Sequence, residues 1–275
     1  MFQQNLHTHS IFDDGQNTLE EMTLAAKKAG LTSIGFSVHT PMPFEDGWGW
    51  TISKERLPEY KAEVRRLNEQ YRGVIDVYCG AEWETLSDKE FSGYEYVIGS
   101  MHHILWEGEA YSVDAAAEHS ARYLERVFHG DTETAAEAYF QQYEALAAVE
   151  EVDIVGHFDL LTKFNEQARL YNPESARFQK AAEHAMDALI AKGKIFEINT
   201  GAISRGYRTT PYPSKTLLEK LHARGARITI SADAHRTQDV AFGFAEAEAL
   251  ARACGYREAW RFDGTDFVAV SLGEE

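Results

Sequence analysis

Short apolar runs recur along the whole chain, and a longer stretch with helical periodicity follows most of them. This alternation is the tightest constraint on what the chain can fold into. Asn5-Leu6 reads as a short first strand. Ile34 to Val38, Val74 to Tyr78, Tyr94 to Gly99, Val152 to Val155, Ile195 to Ile198 and Arg227 to Ile230 read as six more. Between them, a capping box of Thr18 and Glu21 opens a helix that stops at Gly30. Ser53 is expected to cap a helix carrying Leu57, Tyr60, Val64 and Leu67. A long Ala- and Glu-rich stretch from about Asp114 to Val149 is expected to break near His129-Gly130. Asn172-Pro173 is expected to begin a helix reaching Gly193, Ser214 another, and Val240 to Cys254 the last. Strands that alternate with helices pair in parallel. Seven such units without a linker predict an α/β fold, one closed or nearly closed barrel spanning 1–275. An open doubly wound sheet is the alternative.

Composition narrows the function. A chain of 275 residues suits one barrel domain, and 44% hydrophobic with 26% charged residues is ordinary for a packed globule. The 27 basic residues against 44 acidic ones give a formal charge of −17, which repels phosphate backbones and argues against nucleic acid as a partner. No run approaches the roughly 18 apolar residues of a membrane span. The first residues lack the basic and apolar regions of a signal peptide. Two cysteines, Cys79 and Cys254, give no disulfide framework, so a cytoplasmic location is expected. Nothing in the sequence fixes an oligomeric state.

The eleven histidines carry most of the chemistry. His7 and His9, His39, His102, His157 and His235 each follow a predicted strand, and Glu82 and Asp233 take equivalent places. Ligands in parallel α/β folds bind at the carboxyl ends of the strands. These side chains should therefore converge on one face. Imidazoles and carboxylates without thiolate suit a hydrolytic centre of Zn, Mn or Fe. In His7-Thr8-His9 the two imidazoles stand at i and i+2 and point the same way. His119, His129, His184 and His222 lie in helical patterns and read as surface or satisfied core residues.

Seven segments together resemble the polymerase and histidinol phosphatase (PHP) family of metal-dependent phosphoesterases, and within it the monofunctional histidinol-phosphate phosphatases. They are Asn5-Leu-His-Thr-His-Ser, Gly35-Phe-Ser-Val-His-Thr, Gly80-Ala-Glu-Trp-Glu, Ile98-Gly-Ser-Met-His, Val155-Gly-His-Phe-Asp-Leu, Phe196-Glu-Ile-Asn-Thr-Gly and Ser231-Ala-Asp-Ala-His. The resemblance implies a distorted (β/α)7 barrel with three divalent ions. His7, His9, Glu82 and Asp233 would hold one. Glu82 would bridge to a second, completed by His102 and His157. His39, His235 and Asp14 would hold the third, with Asp13 as the alternative to Asp14. His103 falls in the family's aromatic position, and Glu84 and Asp159 read as supporting groups.

The implied activity is hydrolysis of L-histidinol phosphate to L-histidinol and phosphate, with Glu82, Asp233 and His235 in the catalytic set. Three ions would also let so acidic a chain bind a dianion. Arg205 and Lys163, just past the sixth and fifth strands, are candidate phosphate contacts. The alternatives are a phosphoesterase of the same family acting on another small phosphate, a nucleotide or phosphotyrosine, a metal-dependent amidohydrolase, and a non-catalytic module. The longest loop, Thr40 to Ile52, carries Phe44, Trp48 and Trp50. These are expected to overhang the metal face, or else to pack on a neighbouring helix or subunit.

Overall fold

The strands that carry the candidate ligands are buried on both faces, as strands of a parallel sheet covered on both sides are. All seven residues of Ser33–His39 are buried, and so are all five of Ile195–Asn199. The computed structural model describes residues 2–43 and 49–273. Seven strands form its central parallel sheet: β1 (Gln4–Asn5), β2 (Ser33–His39), β3 (Asp76–Trp83), β4 (Tyr96–Gly99), β7 (Ile154–Val155), β8 (Ile195–Asn199) and β9 (Arg227–Ser231). They lie in that order across the sheet. A parallel bridge between Thr8 and Ala234 joins its two edges, with His9 N donating to Ala234 O (2.9 Å) and Ala234 N to His7 O (3.1 Å). The result is a nearly closed barrel.

Nine helices are described: α1 (Leu19–Lys28), α2 (Leu57–Gln70), α3 (Ala117–Val127), α4 (Thr132–Ala147), α5 (Asn165–Ala168), α6 (Ala176–Ala191), α7 (Gly201–Ser204), α8 (Lys215–Ala223) and α9 (Phe244–Ala253). The Thr18–Glu21 capping box forms as read. So does the break at His129 and Gly130, whose φ angles of 52° and 78° end α3 before α4 begins. Two caps move. Ser53 lies outside α2, which starts at Leu57 after Arg56. Asn172 makes a turn, and the cap of α6 is Ser175, whose hydroxyl accepts from Phe178 N. The final helix begins at Phe244 rather than Val240, because Gly243 (φ 70°) turns the chain first.

Two antiparallel hairpins lie outside the alternation. In one, β5 (His103–Trp106) and β6 (Glu109–Ser112) are joined by Glu107 and Gly108, both with positive φ. A two-residue loop of that kind twists with its strands. In the other, β10 (Glu258–Phe262) and β11 (Phe267–Ser271) close the N-terminal end of the barrel. Phe262 packs on Tyr78 and Tyr96, ring centroids 5.0 and 6.1 Å away, and its backbone pairs with the Gln4 amide. Inside, the Tyr96 hydroxyl donates to Leu6 O (2.5 Å) and its ring lies against Gly80, where a Cβ would come within 2.2 Å of the Tyr96 ring. Only glycine fits there. With this end filled by aromatic side chains, the open space lies at the other.

Candidate metal centre

Each strand delivers its polar residue at its carboxyl end. His39 is the last residue of β2, and Glu82 stands inside β3, one residue from its end, rather than after it. His7, His102, His157 and His235 follow β1, β4, β7 and β9 within a few residues, and Asp233 follows β9 with φ 47°, a left-handed conformation unusual outside glycine. All nine expected ligands fall into four overlapping groups of potential donor atoms: His9–Asp14–His39–His235, His7–His9–Asp233, His7–Glu82–His157 and His39–Glu82–His102.

Glu82 is the centre of the arrangement. Its Oε1 faces His157 Nε2 (2.9 Å) and His102 Nε2 (3.3 Å). Its Oε2 faces His7 Nε2 (3.1 Å), His39 Nδ1 (3.1 Å) and His9 Nε2 (3.4 Å). Asp233 Oδ1 lies 3.4 Å from His9 Nε2 and 3.8 Å from His7 Nε2. Buried polar atoms are normally satisfied, yet His7 Nε2, His9 Nε2 and Glu82 Oε2 are buried, converge on one point and have no hydrogen-bond partner. A neutral nitrogen and oxygen donor set converging in this way fits a borderline divalent cation.

The two aspartates divide their work. Asp13 accepts from His9 Nδ1 (2.7 Å) and from the backbone of Ser10 and His39, so it is turned away from the cluster. Asp14 faces it, with Oδ1 at 3.2 Å from His235 Nε2 and 3.8 Å from both His39 Nε2 and His9 Nδ1. Glu84 accepts from the backbone of His102 and His103 and from His103 Nδ1, and so supports the turn that carries His102. Asp159 accepts from Ser214 N, away from the ligands. Glu197 is the group the sequence reading passed over. It is fully buried in β8 and receives His7 Nδ1 (2.9 Å), His157 N (2.7 Å), Asn199 Nδ2 (2.7 Å) and Ser231 Oγ (2.5 Å). An acid inside the apolar run Ile195-Phe-Glu-Ile was the available signal.

The electrostatics of the protein groups show how much positive charge this cluster demands. Burial pushes Glu82 up, but His7, His39 and His102 hold it well below the usual carboxylate range; burial is likewise outweighed at Asp233 by Arg205 and His7. Burial pulls His7 down, yet Glu197, Glu82 and Asp233 keep it well above an ordinary imidazole, and Asp13 raises His9 to about 10 against the same burial. His39 goes the other way, lowered to about 4 by burial and by the neighbouring His9 and His102. Strong shifts of opposite sign in one cleft mark a functional site.

The cluster opens into a cleft of about 500 Å³. Arg205 lines it and is also tied into the cluster: Nη1 donates to Asp233 O (2.9 Å) and meets His235 Nδ1 (2.9 Å), and Nη2 meets Asp233 Oδ2 (3.0 Å). Lys163 lines it too, with its ammonium on Asp114 O (2.9 Å) and over the Tyr207 ring (4.8 Å). Trp50 forms a wall, its ring 4.7 Å from His39 and 5.2 Å from His102. Phe44 and Trp48 lie outside the described residues. His119, read from sequence as a surface or satisfied core residue, is exposed on α3 and lines the cleft. Among the described residues, no helix is long and apolar enough to cross a membrane.

A model of the PHP domain matches residues 5–201. The chain is 30% identical over 265 residues to a probable histidinol-phosphatase of Deinococcus radiodurans, covering 92% of this chain and 93% of that one. It is 27% identical over 268 residues to a probable histidinol-phosphatase of Schizosaccharomyces pombe, covering 90% and 86%. Among solved structures, the fold matches a histidinol phosphate phosphatase from Lactococcus lactis, complexed with zinc, L-histidinol and phosphate. The TM-score is 0.73 at 22% identity, with 97% of this chain and 98% of that chain covered.

Proposed function

The chain belongs to the PHP domain family, and on that premise we propose that it is a metal-dependent phosphomonoesterase releasing phosphate from L-histidinol phosphate. The observation that carries the reading is Glu82, whose two oxygens face two different sets of imidazoles at the base of an open cleft. In this reading three ions, of zinc, manganese or iron, are held by His7, His9, Glu82 and Asp233, by Glu82, His102 and His157, and by Asp14, His39 and His235. Bound there, divalent ions neutralise phosphoryl oxygens and lower the pKa of a water to near neutrality.

The protein's own groups prepare that site. Asp13 and Glu197 accept the Nδ1 protons of His9 and His7, which fixes the tautomers and leaves both Nε2 lone pairs free to ligate. Arg205 orients Asp233 with part of its guanidinium. Its planar fork has five donors, so others remain for phosphate oxygens. Lys163 adds positive charge to the same cleft. A cleft of about 500 Å³ lies within the range of small-ligand sites, so a compact phosphate ester is the fitting substrate class.

The test measures phosphate release by the purified protein from L-histidinol phosphate, phosphotyrosine, a nucleoside monophosphate and p-nitrophenyl phosphate, with elemental analysis of the same sample. Selective turnover of histidinol phosphate by protein carrying about three ions per chain is expected. Comparable or faster turnover of the other esters would overturn the substrate, and full activity with at most one ion would overturn the trinuclear assignment.

A further inference from the structure

Among the described residues, four acidic side chains line the cleft: Asp14, Glu82, Asp233 and Asp114. The first three belong to the metal cluster. Asp114 stands outside it, directly after β6, and its neighbour Val113 donates to His102 O (2.8 Å). His103 pairs with Ser112 across the hairpin, so the arm that carries Asp114 is fixed in register against the arm that leads back to His102. The hairpin thus holds one carboxylate at a set place on the cleft wall, within electrostatic reach of Lys163, His102, His103 and His157.

Lys163 pairs with that carboxylate but takes only part of its capacity. The good bond from Lys163 Nζ goes to the Asp114 carbonyl oxygen (2.9 Å), whereas Oδ2 lies at 3.4 Å, beyond the length of a strong ion pair. Oδ1 accepts only a long bond from Ser112 Oγ (3.2 Å). A carboxylate has about four acceptor sites, so Asp114 keeps capacity that faces the cleft. A partly enclosed anion with unused acceptors is costly unless a cation or donor meets it.

We infer that Asp114 is the specificity residue for a cationic nitrogen on the substrate, so that the cleft selects phosphate esters of amino alcohols over amine-free esters. This rests on the phosphoesterase reading above and extends it from the phosphate end of the substrate to the other end. The ions and Arg205 take the dianion, and Asp114 takes the ammonium. The two opposite charges of one small molecule would then fix its orientation in the cleft.

The experiment compares kcat/KM in two matched pairs, each differing by one amine: L-histidinol phosphate against imidazolylpropyl phosphate, and phosphoethanolamine against ethyl phosphate. The holoenzyme, Asp114→Asn and Asp114→Glu are measured alike. The readout is the ratio within a pair, which does not depend on the fraction of active molecules in a preparation. The expected wild-type preference is about tenfold or more for the amine. It should fall by about that factor in Asp114→Asn and survive in part in Asp114→Glu, which keeps the charge. No wild-type preference in either pair, or equal ratios in all three proteins, overturns the inference while leaving a phosphatase. If histidinol phosphate is a poor substrate but the phosphoethanolamine ratio behaves as described, the inference stands and the proposed substrate falls. Absence of any phosphatase activity in the wild type overturns both.

Discussion

Replacing Glu197 by glutamine tests whether the barrel interior sets the metal affinity from behind. Oε1 accepts two short N–H bonds, from His157 N and Asn199 Nδ2 (both 2.7 Å), and lies 3.2 Å from His7 Nδ1; the His157 amide cannot become an acceptor. The glutamine oxygen must therefore take that position, and its NH2 the other, where Oε2 receives Ser231 Oγ (2.5 Å) and His7 Nδ1 (2.9 Å). The serine hydroxyl can rotate and accept. The imidazole can accept only by moving its proton to Nε2, the atom that faces Glu82 Oε2 and Asp233 Oδ1. Either His7 keeps only the longer contact to the glutamine oxygen (3.2 Å) or it loses its ligand lone pair. Loss of such a supporting group typically costs 10–100-fold in metal affinity or activity, which is about 1.4–2.8 kcal/mol at 1.4 kcal/mol per tenfold. The assay is competitive titration of ions against a chelator, with turnover followed at rising metal concentration. Activity should recover in part at high metal. Wild-type affinity within about twofold would refute the argument, because the tautomer would then not depend on Glu197.

Three further outcomes follow from the same geometry. Arg205→Ala should lower kcat/KM by roughly ten- to a hundred-fold, from loss of a charge-assisted contact of about 1.5–3 kcal/mol. Because Arg205 also holds Asp233 and meets His235, retained metal should fall as well, and Arg205→Lys should restore only part of either; unchanged kinetics would return Arg205 to a structural role. Trp50→Ala should raise KM for histidinol phosphate about two- to tenfold with metal content intact, since aromatic contacts of this kind contribute about 0.5–1.5 kcal/mol, whereas a change in association with unchanged kinetics would make Trp50 an interface residue. Asp153, which accepts from Val97 N, is raised by burial from 3.8 to about 6 despite that bond and Lys194. The folded state then binds its proton more tightly than the unfolded state, so this group's contribution falls as pH rises from about 4 to 6. Relative to wild type, Asp153→Asn should gain about 1–3 kcal/mol between pH 4 and pH 7 in denaturant melts, and parallel profiles would refute the shift.

The candidate ligands were legible in the sequence because a parallel barrel leaves little choice: a polar residue at the carboxyl end of an apolar run has to face the same mouth as the others. That rule brought eight candidates, His7, His9, His39, Glu82, His102, His157, Asp233 and His235, to one face without a single contact being known, while Asp14 entered only through the family resemblance. The rule could not choose between Asp13 and Asp14, since adjacent residues in a loop have no common face; in the structure Asp14 faces the cluster and Asp13 turns onto His9 Nδ1 and the His39 backbone. Nor could it see the hairpin from His103 to Ser112, whose strands are short and whose turn, Glu107-Gly108, lacks the Asn or Asp that usually marks such loops.

Apart from Glu84, which the sequence reading took as a supporting group, the groups that support the ligands are illegible for a different reason. Glu197 meets His7 across 190 residues, and Arg205 meets His235 across 30. A ligand declares itself by residue type and by its place on its own strand, whereas a support is defined by what the neighbouring strand brings beside it. In β8, pairing with β9 sets Glu197 opposite Thr229 and Asn199 opposite Ser231, and closure of the barrel at Thr8 and Ala234 brings His7 to the same point. A shift of one residue in that register would turn Glu197 out of the barrel and leave His7 Nδ1 without its acceptor. The affinity of the site for its ions is therefore as much a property of strand register as of the ligands themselves, and substitutions along β8 and β9 that disturb pairing should weaken metal retention before they unfold the chain.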